Sequence, residues 1–227
     1  MIENIIEIIE LKKIYNKTIA VDNLNFKIQK GQIIGLLGPN GCGKSTLLKA
    51  IASVLPAREG NISVHGMVTP LIELGAGFNA ELTGRENIFL NGAIMGLSRQ
   101  NMQERFDRIV SFAELEEHID IPIRNYSSGM RTRLGFSVAA DIEPEILLLD
   151  EPTASLDPDV GDNIRSFIEE FTSNKGSTIL LASHNMNEVE RLCHEVMMMK
   201  NGKIIDRGTG SDLISKHGRK NLEEVFL

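Results

Sequence analysis

Nothing in this 227-residue sequence is long and apolar enough to span a bilayer: its most hydrophobic runs, Val196 to Met199 and Ile146 to Leu149, are four residues each, against about twenty for a membrane helix. The opening MIENIIEIIELKK has no basic leader before its apolar part and no small-residue cleavage site after it, so no secretory signal is read and a cytoplasmic location is expected. The two cysteines, Cys42 and Cys193, offer neither metal-ligand spacing nor a disulfide framework, and both are expected as free thiols. There is no extended basic stripe; 24 basic residues face 31 acidic ones, a net charge of -7, which argues against nucleic acid as a main partner. No repeat, low-complexity tract or proline-rich linker divides the chain, and 42% hydrophobic content suffices for one substantial core.

Patterning then supplies elements. Ile5, Ile6, Ile8, Ile9 and Leu11 suit a helix at least as well as a strand. Leu24, Phe26 and Ile28 alternate with polar residues as a half-buried strand does, and Lys30-Gly31 follows as a turn. Gln32 to Leu37 reads as a strand, Gly38 to Gly43 as a glycine-rich loop, and Ser45 to Val54 as a helix ended by Pro56. Helical patterns follow at Arg85 to Gly96, Asn101 to Phe112 and Gly129 to Asp141. Strand signals return at Ile146 to Leu149 and Thr178 to Ala182 around a helix near Val160 to Ser173, the alternation of a parallel α/β sheet. Val196 to Met199 and Lys203 to Arg207 flank Asn201-Gly202 as a hairpin. The expected fold is α/β: a core over 1–80 and 142–227, with a helical subdomain inserted at about 81–141.

The chemistry is carried by Gly38-Pro39-Asn40-Gly41-Cys42-Gly43-Lys44-Ser45, which fits G-x-x-x-x-G-K-S between a strand and a helix. Glycines let successive N–H groups turn toward phosphate oxygens, the helix start adds a favourable dipole, and Lys44 brings a point charge to the β and γ phosphates. Ser45 is a candidate Mg²⁺ ligand, and Thr46 completes the candidate ATP-binding set. Cys42 lies inside this loop, so bound nucleotide is expected to shield it from alkylation. About a hundred residues on, a buried strand ends in Asp150-Glu151; Asp150 suits the Mg²⁺ shell and Glu151 suits polarising a water for attack on the γ-phosphate. A plain glycine-rich turn and a solvated acidic turn are the bland alternatives.

Tyr126-Ser127-Ser128-Gly129-Met130, at the start of a helix, resembles the signature motif Leu-Ser-Gly-Gly-Gln, and the whole chain resembles the ATP-binding subunit of ABC transporters. That resemblance implies a P-loop core with a mixed, mostly parallel sheet, an N-terminal antiparallel β subdomain and the helical insertion. It implies ATP and Mg²⁺ as ligands and a head-to-tail homodimer. In that dimer Ser127, Ser128, Gly129 and Met130 of one copy close on the γ-phosphate held by the other. Ser128 and Met130 depart from the usual motif, and helix capping alone also accounts for the serines. The resemblance further makes His184 the switch histidine at the γ-phosphate and Asp157 part of the loop crossing the dimer seam. Tyr15 takes the place of the adenine-stacking aromatic, although a tyrosine at a strand end can equally be core. The family's glutamine after the strand that follows the P-loop helix is missing between Gln32 and Gln100, and Glu73 is the nearest polar candidate for its metal contact.

Within the family, Leu71 to Phe78 and Glu81 to Ile88, together with Tyr126 to Met130 and Arg133-Leu134, resemble ABC-2 type ATPases that export O-antigen, capsule or teichoic acid. The implied role is to power a separate transmembrane subunit from the cytoplasmic face of the membrane. The tail Arg219 to Leu227 is instead similar to drug and small-molecule or lipid exporters, which stands as the alternative. A soluble ABC ATPase, such as an iron–sulfur assembly factor, fits the length but not the segment Gly75 to Asn87.

Overall fold

The computed structural model describes residues 3–16, 18–71, 78–142, 144–154 and 158–226. The chain divides into two compact units, one made of Met1–Ile72, Pro144–Pro152 and Ile164–Leu227, the other of Glu73–Glu143 and Thr153–Asn163.

The ambiguous opening is a strand, β1 (Asn4–Tyr15), paired antiparallel with β2 (Thr18–Gln29) and with β4 (Glu59–Val64). The helix-like spacing has a local cause. The register shifts between Ile8 and Leu11, where Glu10 takes a φ of 51°, and such a bulge re-phases the side chains. Ile8 and Leu11, three apart, are therefore both buried, while Ile9 stays 44% exposed. In β2 the alternation is regular, with Leu24, Phe26 and Ile28 inward.

A six-stranded sheet forms the rest of this unit's β structure: β5 (Val68–Leu71), β6 (Ile146–Asp150), β7 (Thr178–Ser183), β3 (Ile33–Leu37), β8 (Glu195–Lys200) and β9 (Lys203–Gly208), in that spatial order. All neighbours are parallel except the β8–β9 hairpin, whose turn residues Asn201 and Gly202 have φ of 51° and 77°, as a type I′ turn requires. Between β6 and β7 in sequence lies α5 (Pro158–Lys175), where a helix was expected near Val160 to Ser173. Every residue of β3 and β7 is buried, the mark of strands covered on both faces. Successive side chains serve opposite layers. Leu36, Met197 and Met199 join Ile6, Ile8 and Leu11, together with Leu47, Leu48 and Ile51 of α1 (Lys44–Ile51). Leu37, Val196 and Met198 join Val189 of α6 (Met186–Leu192), Leu213 of α7 (Gly210–His217) and Leu222 of α8 (Leu222–Phe226). A Cβ at Gly35 would lie 2.8 Å from Cys193 Sγ and 2.9 Å from Val189 Cγ1, so the bare backbone there admits α6 against β3. α1 stops at Ile51, short of the expected Val54. Ser53 adopts φ 57°, and the N–H groups of Val54 and Leu55 both bond to Lys49 O (3.0 and 3.1 Å), so a left-handed residue ends the helix before Pro56 can.

The other unit holds α2 (Gly84–Ile94), α3 (Arg99–Ala113) and α4 (Ser128–Asp141), packed around Ile88, Phe106, Ile109, Val110, Leu134 and Val138. Each start is capped by a hydroxyl: Thr83 accepts from Glu86 N, Ser98 from Asn101 N, and Ser127 from Met130 N. Thr83 and Glu86 close a reciprocal capping box, which holds Glu86 below the usual carboxylate range through hydrogen bonds from Thr83. The Thr83→Ala variant should lose about 1 kcal/mol of stability, read as a lower urea midpoint at unchanged slope; an unmoved midpoint would mean that the box contributes nothing.

Candidate active site

The glycine-rich loop leaves the C-terminal end of β3 and is seated on its neighbours by contacts that permit no side chain. A Cβ at Gly38 would collide with Met199 O and Cys42 Sγ, and one at Gly43, whose φ is 110°, with the Ala20 carbonyl. Leu47 N bonds to Gly43 O at 2.9 Å, so helical pairing of α1 begins directly from the loop. Lys44 is 5% exposed and its ammonium donates to Gly38 O at 2.6 Å and Pro39 O at 3.4 Å.

A cavity of about 390 Å³ opens over this loop. Tyr15 of β1 lines it, with Asn40, Gly41 and Gly43 from the loop, Lys44, Ser45 and Thr46 from α1, and Asp150 and Glu151 from the end of β6. Tyr15 is 43% exposed, with Lys13 Nζ 5.5 Å from its ring centroid. It is therefore a surface aromatic and not a core residue. Ala20 also lines the cavity, and no sequence signal pointed to it. Cys42 does not line it: its side chain is 4% exposed and belongs to the hydrophobic core, and burial raises its thiol pKa against the pull of Lys44. The expectation that nucleotide would shield this thiol is thereby corrected, since the protein already covers it.

The two carboxylates at the end of β6 sit in different surroundings. Burial raises the Asp150 pKa; a hydrogen bond from Ser45 lowers it, the charge of Glu151 raises it, and Lys44 and Lys49 lower it. Glu151 has a φ of 51° and its N–H bonds to Ala182 O at 2.8 Å, a strained backbone pinned to β7. Its Oε2 lies 2.8 Å from His184 Nδ1 and accepts from His184 N at 3.3 Å. Where Glu151 is ionised it can only accept, and the hydrogen of that contact then sits on Nδ1. Glu151 Oε1 is buried without a partner, one of two such side-chain atoms among the described residues, the other being Arg133 Nε.

Ser127 and Ser128 are exposed at the start of α4, with Gly129 and Met130 partly buried behind them. Tyr126 is buried and donates to His118 O at 2.7 Å. Glu73 and Asp157 lie outside the described residues. Ser183, which touches Glu151 Oε2 at 3.4 Å, was not singled out from sequence, although its place directly before His184 at the end of an apolar strand was a usable signal.

A strand–loop–helix phosphate cradle, with a hydrogen-bonded Ser–Asp pair and a glutamate directly after β6, defines a P-loop nucleoside triphosphatase. Residues 21–154 match the family described as "ABC transporter". The O-antigen export system ATP-binding protein RfbB of Klebsiella pneumoniae is 45% identical over 198 residues, 87% of this chain and 80% of that protein. A solved ATP-binding subunit of an ABC transporter superposes with a TM-score of 0.88 at 26% identity, over 98% of both chains. A dimeric, post-hydrolysis structure of the ATP-binding cassette MJ0796 with ADP and Pi superposes with a TM-score of 0.80 at 21% identity, over 90% of this chain and 98% of that one. The chain belongs to the ABC transporter ATP-binding family, and is an ATPase of that family.

Two outcomes follow from the burial of these groups. A carboxyl whose folded-state pKa is raised favours its neutral form, so stability is lost as pH rises through that pKa; the Asp150→Asn variant should melt higher than the wild type at pH 7 without nucleotide, and an equal or lower melting temperature would refute the burial argument. The Cys42 thiol should react with iodoacetamide far more slowly in the native protein than after unfolding, with or without ATP; fast native labelling would contradict its placement in the core.

Proposed function

We propose that this chain is the ATP-hydrolysing subunit of a polysaccharide or glycoconjugate exporter, acting as a homodimer on a separate transmembrane subunit at the cytoplasmic face of the membrane. The glycan cargo is supported by the likeness to RfbB, which extends over most of both chains. No helix among the described residues is long and apolar enough to cross a membrane.

The observation that carries the catalytic reading is the asymmetry of Glu151: Oε2 is tied to His184 while Oε1, buried in the same site, has no partner. Oε1 thus has acceptor capacity to spare for an attacking water, which reaches it only once the site opens, because the atom is covered as it stands. As the water oxygen bonds to the γ-phosphorus, the bond from that phosphorus to the β,γ-bridging oxygen breaks; Glu151 takes the water's proton, and ADP and phosphate result. Lys44, after exchanging the Gly38 carbonyl for phosphate oxygens, holds the β and γ groups, and the loop amides cradle them. Tyr15 offers a ring face to the adenine. The hydrogen-bonded Ser45–Asp150 pair suits a small divalent cation, because one neutral and one anionic oxygen already converge there. When bound, Mg²⁺ would supply charge neutralisation to the phosphate oxygens. His184 orients Glu151 and reaches the γ-phosphate.

The dimer is assigned head to tail. Ser127 is exposed and spends only a lone pair on Met130 N, so its hydrogen is available to a phosphate oxygen on the other copy. The MJ0796 cassette, which shares this fold, is itself dimeric. Removing the base should separate binding from chemistry. In the Glu151→Gln variant turnover should fall by about a hundredfold or more while ATP still binds, and sedimentation should show an ATP-dependent dimer. Near-normal turnover would remove Glu151 from the role, and a monomer under saturating ATP would remove the dimer.

A further inference from the structure

One charged group beside this site has no part in the mechanism above: Glu188, on the first turn of α6, is 2% exposed. A carboxylate that deep is costly unless its oxygens are used. Its Oε2 accepts from Ser183 Oγ at 2.7 Å, a well-formed hydroxyl hydrogen bond. Ser183 is itself fully buried at the end of β7.

A serine hydroxyl has one hydrogen and two lone pairs, and three groups surround this one. Asn185 N donates to Ser183 Oγ at 3.0 Å, Glu188 Oε2 stands at 2.7 Å and Glu151 Oε2 at 3.4 Å. The hydrogen belongs to the nearer carboxylate. Asn185 Oδ1 in turn accepts from Glu188 N at 3.3 Å. The segment is closed on itself: Ser183 to Glu188, Glu188 to Asn185, Asn185 to Ser183. His184 is the residue inside that closure, and it is the one whose ring and backbone nitrogens hold Glu151 Oε2.

We propose that Glu188 is a positioning residue for hydrolysis: by holding the Ser183 hydroxyl it fixes the turn that carries His184, so that Glu151 is gripped by Oε2 and presents Oε1 to the attacking water. The inference rests on the general-base reading of Glu151. Glu188 touches neither nucleotide nor water in this scheme and acts through two intermediaries. Its loss should therefore slow chemistry and leave ATP affinity alone. A residue that only stabilises the fold would lower the melting temperature without separating the two.

The test compares Glu188→Met, which keeps side-chain length and removes the acceptor, with Glu188→Gln, whose amide oxygen can still accept from Ser183. Both are measured for kcat, for affinity by equilibrium binding of ATP, and for melting temperature. Glu188→Met should lower kcat about tenfold or more, since a small misplacement of a reacting group can cost up to about a hundredfold, with affinity changed less than about twofold. Glu188→Gln should restore kcat to within about threefold of wild type. Ser183→Ala, which leaves α6 intact, should reproduce the Glu188→Met loss, and the double variant should be no slower than either single one. Equal defects in the Gln and Met variants, matching losses of affinity and kcat, additive losses, or full activity in Ser183→Ala would each overturn the proposal. If Glu188→Met does not fold, Ser183→Ala and Glu188→Gln still decide it. Glu151→Gln keeps the two readings apart: if that variant turns over normally the base assignment fails, whereas if it is inactive and the Ser183 and Glu188 variants are not, only the present inference does.

Discussion

The site depends on the parallel register of three strands. β3 pairs with β7 so that Leu37 faces Ser183, and β6 pairs with β7 so that Asp150 faces Ala182. Parallel strands end on the same side, and three chains leaving one sheet edge in step bring the phosphate loop, the two acidic residues and Ser183-His184 to a common rim. A slip of one residue would turn every side chain of a strand to the opposite face, and here both faces are packed. Leu36 and Leu37 belong to different hydrophobic layers, so neither can be exchanged for the other without burying the wrong set. Core packing and site geometry are therefore the same constraint seen from two ends.

Near that rim the structure accepts local costs. Glu151 holds a backbone conformation that side-chain-bearing residues rarely adopt, Asp150 is buried enough to disfavour its charge, and Glu188 is almost wholly enclosed. Each cost is offset by a specific partner: Ala182 O for the Glu151 backbone, Ser45 for Asp150, Ser183 for Glu188. Strain and buried charge of this kind persist where surrounding structure over-determines them. The hydrophobic sheet supplies that rigidity, since β3, β7 and most of β6 are inaccessible to solvent.

The α/β class was legible because the parallel strands are short apolar runs bounded by turn chemistry, and because the phosphate loop is a contiguous motif with its strand and helix on either side. The N-terminal sheet was less so. The bulge at Glu10 puts Ile8 and Leu11 on one face at a helical interval, and in β4 only Ile62 and Val64 show any alternation. α6, α7 and α8 are too short, at seven, eight and five residues, to display a period before they end. Lys44, Asp150 and Glu151 could be found by sequence pattern, and the structure gathers them around one cavity with Tyr15. The side-chain direction of Cys42 could not be, because a motif places a residue in a loop without saying which way it points. Ser183 and Glu188 escaped for a related reason: a five-residue interval across a strand end becomes a contact only when the chain turns back, and that turn is set by Asn185, whose own hydrogen bonds are not visible in a linear pattern.

The signature segment shows where pattern and chemistry part. Ser127 is fully accounted for as a helix cap: it accepts from Met130 N at 3.1 Å, and serine is among the preferred residues for that position. Capping consumes a lone pair and leaves the hydroxyl hydrogen unused, so the same atom can accept from its own helix and donate to a phosphate brought by another chain. The helix start adds unpaired amides of Ser128 and Gly129 and the positive end of the dipole. Ser128, which stands where the usual motif has a glycine, is exposed, and Gly129 has only Ser127 Oγ near where a Cβ would stand, at 3.8 Å. Under the proposed head-to-tail arrangement, it is the arrival of a phosphate on a second copy that would turn this cap into half of an active site.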